Sequence, residues 1–208
     1  MKLLSALRLV LRTYRSHPRG ARLHVLIRFF TCPFLRITRA LPHDARSLLE
    51  IGAGHGLFSR LAVAHGIPRV VGVEPDARKL HPVEGVSMVT GYDVVVRGTF
   101  DVVAIIDALY AIPFPHWDEF LTRAYERLAP GGMLMIKEQD PTSVKDRWNH
   151  AQEWLSAKLL NVTLADAFDY EPPEAVVGRL TRLGFRDVAS QRIDFGYPHP
   201  HIVYVARA

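Results

Sequence analysis

Leu48-Leu49-Glu50-Ile51-Gly52-Ala53-Gly54-His55-Gly56-Leu57-Phe58 is a short apolar run that empties into three alternating glycines and then restarts with helical spacing. It reads as strand, tight turn and helix. Glycine at alternate positions removes Cβ atoms where the backbone turns sharply and where a ligand approaches it closely. The helix that follows offers unpaired N–H groups to a carboxylate or another polar group. A dinucleotide loop spaced G-x-G-x-x-G would put its third glycine at position 57, which is Leu57; the spacing here is E-x-G-x-G-x-G.

Outward from this loop the pattern is β-α-β. Ser47–Ile51 reads as a first strand, Leu57–His65 as a helix with Leu57, Phe58, Leu61 and Ala62 inward, and Arg69–Val73 as a second strand ending at Glu74. Their continuous apolar runs suit buried parallel strands. Val86–Thr90 and Phe100–Ile106 are a third and fourth strand, Trp117–Leu128 a helix ended by Pro130-Gly131-Gly132, and Met133–Ile136 a fifth strand. Helices are predicted around Val144–Leu160 and over Pro173–Leu183, the second closed by Gly184. Val188–Phe195 and Ile202–Ala206 then pair through a short turn, which makes them antiparallel.

The whole chain, 208 residues with 49% hydrophobic and 23% charged, suits one domain with a sizeable core. A lone cysteine, Cys32, excludes an internal disulfide framework and a cysteine zinc site, so a reducing cytoplasm is the simplest compartment. The net charge of +5 is unevenly placed: residues 1–43 hold nine Lys/Arg and no Asp or Glu, and the remainder sums to −4. Arg8, Arg12 and Arg28 interrupt every apolar run that might span a bilayer or serve as a secretory signal. Residues 2–15 form a basic amphipathic helix with Leu3, Leu7, Val10 and Tyr14 on one face, and two more apolar segments follow, at Leu23–Phe30 and Leu35–Leu41. Two readings of residues 1–43 stand side by side: a cover for the open side of the sheet, or contact with an anionic membrane surface or a long apolar substrate. The division of the chain is accordingly a basic helical extension over 1–43 and a catalytic domain over 44–208.

The E-x-G-x-G-x-G loop resembles motif I of the class I S-adenosylmethionine-dependent methyltransferases. Leu128-Ala129-Pro130-Gly131-Gly132 before the fifth strand and the closing antiparallel hairpin are similar to that family too, so the resemblance covers about four-fifths of the chain. It implies an α/β, doubly wound, mostly parallel seven-stranded sheet with one antiparallel strand. It also implies S-adenosylmethionine as cofactor, with Glu50, Gly52, Ala53, Gly54 and Gly56 in the loop under its methionine and ribose parts. Glu74 follows Gly52 by 22 residues at a strand's carboxyl end, where a carboxylate accepts hydrogen bonds from both ribose hydroxyls; the resemblance assigns it that role, with Pro75 beside it and Asp76 capping the next helix. In Gly91-Tyr92-Asp93 the family's Gly-Asp pair is split by a tyrosine, so either Asp93 holds the adenine amino group or Tyr92 stacks on the ring. Asp107, closing the fourth strand, falls where the family's cofactor and acceptor meet.

Acceptor chemistry is sought beyond the carboxyl ends of the strands. Asp107 is followed by Ala-Leu-Tyr and not by the Pro-Pro-aromatic run of the family's nucleic-acid amino methyltransferases, and no cysteine lies on a corresponding loop for a cytosine C5 mechanism. A nucleic-acid acceptor is therefore disfavoured. Tyr110, Glu138 and Tyr197 are expected to line the acceptor site. His201 and His199, whose ordinary pKa suits proton removal, are the candidate bases alongside Asp107; His150 and His55 are weaker. Asp101 sits at the wrong end of its strand and is structural. Asp107, Glu138 and Asp140 do not match a metal signature, and no metal is expected. The sequence thus points to methyl transfer to a small apolar or aromatic acceptor. An RNA acceptor held by the basic N-terminus, or a non-catalytic cofactor-binding subunit, are the alternatives.

Overall fold

A computed structural model of the protein describes residues 1–92, 95–143 and 170–208. Its centre is one seven-stranded sheet in the order β3-β2-β1-β4-β5-β7-β6. The strands are β1 (Ser47–Ile51), β2 (Arg69–Glu74), β3 (Val86–Thr90), β4 (Phe100–Ile106), β5 (Leu128–Gln139), β6 (Arg186–Arg192) and β7 (His201–Arg207). β1 to β5 pair in parallel, and β7 runs antiparallel between β5 and β6. The α-helices among the described residues are α1 (Leu3–Thr13), α2 (Arg19–Thr31), α3 (Phe34–Arg39), α4 (Leu57–His65), α5 (Trp117–Glu126) and α6 (Pro173–Arg182). The helix expected around Val144–Leu160, with His150, lies outside the described residues.

Side-chain alternation along the strands divides the core into two layers. Leu48, Val102, Ala104, Met133, Met135 and Val203 point to the face covered by α1 to α4. Leu49, Val103, Ile105, Leu134, Ile136 and Tyr204 point to the face covered by α5 and α6. β5 begins earlier than its apolar run suggests, because Leu128 already pairs with Phe100. Between Phe100↔Leu128 and Val102↔Met133 the partner strand advances two residues while β5 advances five, so Ala129–Gly132 bulges out.

The first three helices belong to the first layer. Val10, Tyr14, Val25, Phe29, Phe34 and Ile37 are buried in the same cluster as Leu48, Leu57 and Phe58. The boundary expected at 43/44 therefore does not coincide with a break in packing. The β2–β3 connection contains only a 3-10 turn, Ala77–Lys79; α1 reaches this side of the sheet, with Arg12 and Arg60 both on Glu84. The buried side of α1 is Ala6, Val10 and Tyr14, while Leu3, expected inward, is exposed.

Candidate functional site

The glycine loop leaves β1 with Gly52, Gly54 and Gly56 all at positive φ. At Gly52 a Cβ would lie 2.5 Å from the Ala108 Cβ, so the loop after β4 packs directly on this glycine. At Gly54 (φ +56) a Cβ would meet nothing within 4 Å: here the requirement is backbone conformation, and the loop faces open space. The Gly52 and Ala53 N–H groups donate to the Val73 carbonyl at 2.9 Å and tie the loop to β2.

Two carboxylates flank the loop and have different tasks. Gly56 precedes α4 and has no side chain with which to cap it; Glu50, on the α4 side of β1, does so instead. Its Oε2 accepts from the Ser59 N–H at 2.8 Å and from the Ser59 hydroxyl. The group is buried, and burial pushes its pKa up to about 8 against the pull of the Ser59 donors. Glu50, expected among the cofactor contacts, is thus engaged with the first turn of α4. Glu74 stands at the loop itself. Its Oε2 accepts from the Gly54 N–H at 2.8 Å, its Oε1 from the Asp76 N–H at 3.1 Å, and Lys79 Nζ lies 3.7 Å away. Each oxygen retains acceptor capacity for a ribose hydroxyl, so the open loop and Glu74 fit S-adenosylmethionine. Asp76 caps the 3-10 turn through the Arg78 N–H, as expected. Pro75 joins these two acids, Tyr92 is 67% exposed just after β3, and Asp93 lies outside the described residues.

α1 and α2 complete this end. The Tyr14 hydroxyl donates to the His55 carbonyl of the loop at 2.9 Å. The His24 and His55 rings are 5.4 Å apart.

At the carboxyl ends of β4 and β5 and the amino end of the antiparallel β7, the expected acceptor residues are sorted by strand alternation. Asp107, at φ 51, is held by two cations: Arg28 Nη2 of α2 is 2.6 Å from Oδ2 and Lys137 Nζ of β5 is 2.5 Å from Oδ1. Burial opposes its ionisation, but Lys137 and Arg28 outweigh that and hold its pKa near 2. Both oxygens of Asp107 are thus occupied by cations, an arrangement that weakens it as a base. Glu138 points to the other face. Its Oε1 accepts from the Ala108 and Leu109 N–H groups at 3.1 and 2.8 Å and so holds the loop that rests on Gly52. Burial first, and the Asp107 charge second, push it up to about 8. A cavity of about 10 Å³, room for one water, lies among Glu138, Leu109, Tyr110, Trp117 and Tyr204. Tyr110 stacks on Tyr170 at 5.5 Å on this side.

The histidine expectation changes as well. His201 is buried, with Nε2 2.8 Å from the Thr31 carbonyl at the end of α2; that makes Nε2 the protonated nitrogen. Burial and then the Lys137 charge depress its pKa to about 3. His201 is a link between β7 and α2, not a base suited to neutral pH. His199, half-buried in the turn, lies 6.0 Å from His201, and Tyr197 sits under the Arg36 guanidinium at 5.1 Å. Asp140 is spent on structure: Oδ1 accepts from the Thr142 N–H and hydroxyl, and Oδ2 pairs with Arg192 at 2.7 Å. Asp101 joins Arg46 and Ser47 at the opposite, amino-terminal end of β1 and β4, a structural role as expected.

Arg28, Lys137 and Tyr14 were not singled out by the sequence. A signal existed for two of them. Lys137 directly continues the buried run Met133–Ile136, and Arg28 falls next to Phe29 on the inward side of α2 that also carries Ala21 and Val25; a buried cation requires a buried partner.

A family model described as a methyltransferase domain matches residues 26–190. No curated protein matches the chain in sequence. Among solved structures, a SAM-dependent methyltransferase from Archaeoglobus fulgidus superposes with a TM-score of 0.68 at 16% identity, over 89% of this chain and 99% of that one. A SAM-dependent methyltransferase from Thermotoga maritima, titled a possible histamine N-methyltransferase, gives 0.69 at 19% identity, over 95% and 99%. Human N-acetylserotonin methyltransferase in complex with SAM gives 0.66 at 14% identity, over 96% of this chain and 58% of that one.

Proposed function

The chain belongs to the methyltransferase family, as an enzyme that uses S-adenosylmethionine, and on that premise we propose that its acceptor is a small molecule with an apolar or aromatic body, methylated on an acidic hydroxyl. Bound S-adenosylmethionine supplies an electrophilic methyl group on a sulfonium. The chain's residues hold the cofactor, align the acceptor and favour its reactive form.

One observation carries the acceptor reading: two cations, Arg28 and Lys137, face one carboxylate, Asp107, beside the loop that rests on Gly52. Burial raises the Glu138 carboxyl and lowers the His201 imidazole beside them, which favours the uncharged form of each. The local charge is therefore positive, which favours an anionic nucleophile and lowers the pKa of a hydroxyl brought there. Such an acceptor needs no strong protein base. Tyr110 and Tyr197 supply aromatic surface for its body.

A panel of phenols and hydroxy acids assayed across pH tests this. Arg28→Gln should lower the rate about tenfold and move the pH–rate profile upward, since one unit of acceptor pKa corresponds to about 1.4 kcal/mol. His201→Ala and His199→Ala should leave the profile's midpoint in place. A midpoint that stays fixed in Arg28→Gln, or disappears in His199→Ala, overturns the reading in favour of a histidine base.

A further inference from the structure

α2 is apolar on two opposite sides. Ala21, Val25 and Phe29 are buried against the sheet layer. Leu23, Ile27 and Phe30, spaced as one outward stripe, are 61%, 51% and 55% exposed. α1 repeats the feature, with Leu4 and Leu11 68% and 48% exposed on the side that also carries Arg8. Both helices pack with the same layer of the core. Large apolar side chains repeated along two successive helices are more than the scattered single exposures of an ordinary surface.

Charge identifies the occupant. Lys2, Arg8, Arg12, Arg15, Arg19 and Arg22 are exposed on or beside these helices, and residues 1–43 contain no acidic side chain. A second copy docking the same face would set these cations against their own kind, a repulsive arrangement for an isologous dimer. RNA would pair with the arginines but would leave Leu4, Leu11, Leu23 and Ile27 in water, since stacking needs aromatic faces. An anionic bilayer satisfies both features: apolar side chains enter the headgroup–acyl boundary while guanidinium groups stay with the phosphates. No described helix is long and apolar enough to cross a membrane, which leaves lying on its surface. From this we infer that the outward face of α1 and α2 docks the protein onto an anionic lipid surface. α2 is also the helix whose inner side carries Arg28 to Asp107, so the docked face and the acceptor end share one element.

The experiment is sedimentation of the full chain with vesicles of equal phosphatidylglycerol and phosphatidylcholine, and with vesicles of phosphatidylcholine alone. Binding is expected to the mixed vesicles and to weaken with salt, with a loss of about fivefold for each of Arg8→Gln and Arg22→Gln. The triple variant Leu23→Ser, Ile27→Ser, Phe30→Ser should lose about tenfold or more while keeping its cofactor affinity and most of its melting temperature, because each of these side chains is more than half exposed. Equal binding by the triple variant and wild type overturns the inference. So does a wild type that ignores both vesicles, whether light scattering shows a dimer that the triple variant dissolves or an RNA oligonucleotide binds instead.

Discussion

The cofactor end and the acceptor end of this sheet are built in opposite ways. The two carboxylates that flank the glycine loop find their backbone donors within residues 50–76, on one strand-helix-strand unit: Glu50 caps α4, and Glu74 receives the Gly54 N–H across the β1–β2 pair. The acceptor end draws Arg28 from α2, Asp107 from the end of β4, Lys137 from β5 and His201 from β7. The first end is a local motif carrying its own hydrogen-bond partners. The second is a tertiary cluster in which each charge is tolerable only because a residue far away in sequence neutralises it.

Removing the centre of the tertiary cluster should have the largest effect. Asp107→Ala leaves Lys137 and the partly covered Arg28 without their counter-ion, and breaking such a buried pair costs about 3–5 kcal/mol. Urea denaturation measures it; a loss under about 1 kcal/mol would mean the cluster is not buried as described. The local motif responds through binding. Glu74→Ala should weaken cofactor affinity by about 1.5–3 kcal/mol, because two ribose hydroxyls lose a charged partner, and calorimetry would read it directly. Unchanged affinity would remove Glu74 from the site.

Both ends contain a carboxyl group raised from 4.5 to about 8, Glu50 at one and Glu138 at the other. Each holds a proton in the folded protein that the unfolded chain has released, so stability is greatest below the unfolded value and falls as pH rises toward 8. The buried histidines, His201 among them, act in the opposite sense, but only below their unfolded value of 6.5. Between pH 6.5 and 8 the carboxyl groups therefore dominate among these groups, and the melting temperature should decline. Glu50→Gln and Glu138→Gln should each flatten that decline; a slope unaffected by either would show that both groups are ionised in the fold. The smallest effect sharpens the contact between α1 and the loop. Tyr14→Phe deletes the hydroxyl on the His55 carbonyl and should cost about 0.5–1.5 kcal/mol of stability with a smaller change in cofactor binding.

Continuous apolar runs and glycine spacing determined the parallel sheet, the position of the loop and the place of Glu74, since strand periodicity and positive φ are properties of neighbouring residues. The bounds of β1, α4, β3 and β4 follow from the same local signals. Alternation along β5 could not say that Lys137 would meet Asp107 or that Glu138 would turn to the opposite face to hold the Ala108 and Leu109 N–H groups. Nor could the basic pattern of residues 1–43 say which arginine goes inward. Tertiary structure decided those matters, and with them the partners that engage Asp107 and His201. The reason is electrostatic: a side chain's pKa is set by the burial and the charges around it, and here those charges come from α2, β5 and β7, which only the folded chain brings together.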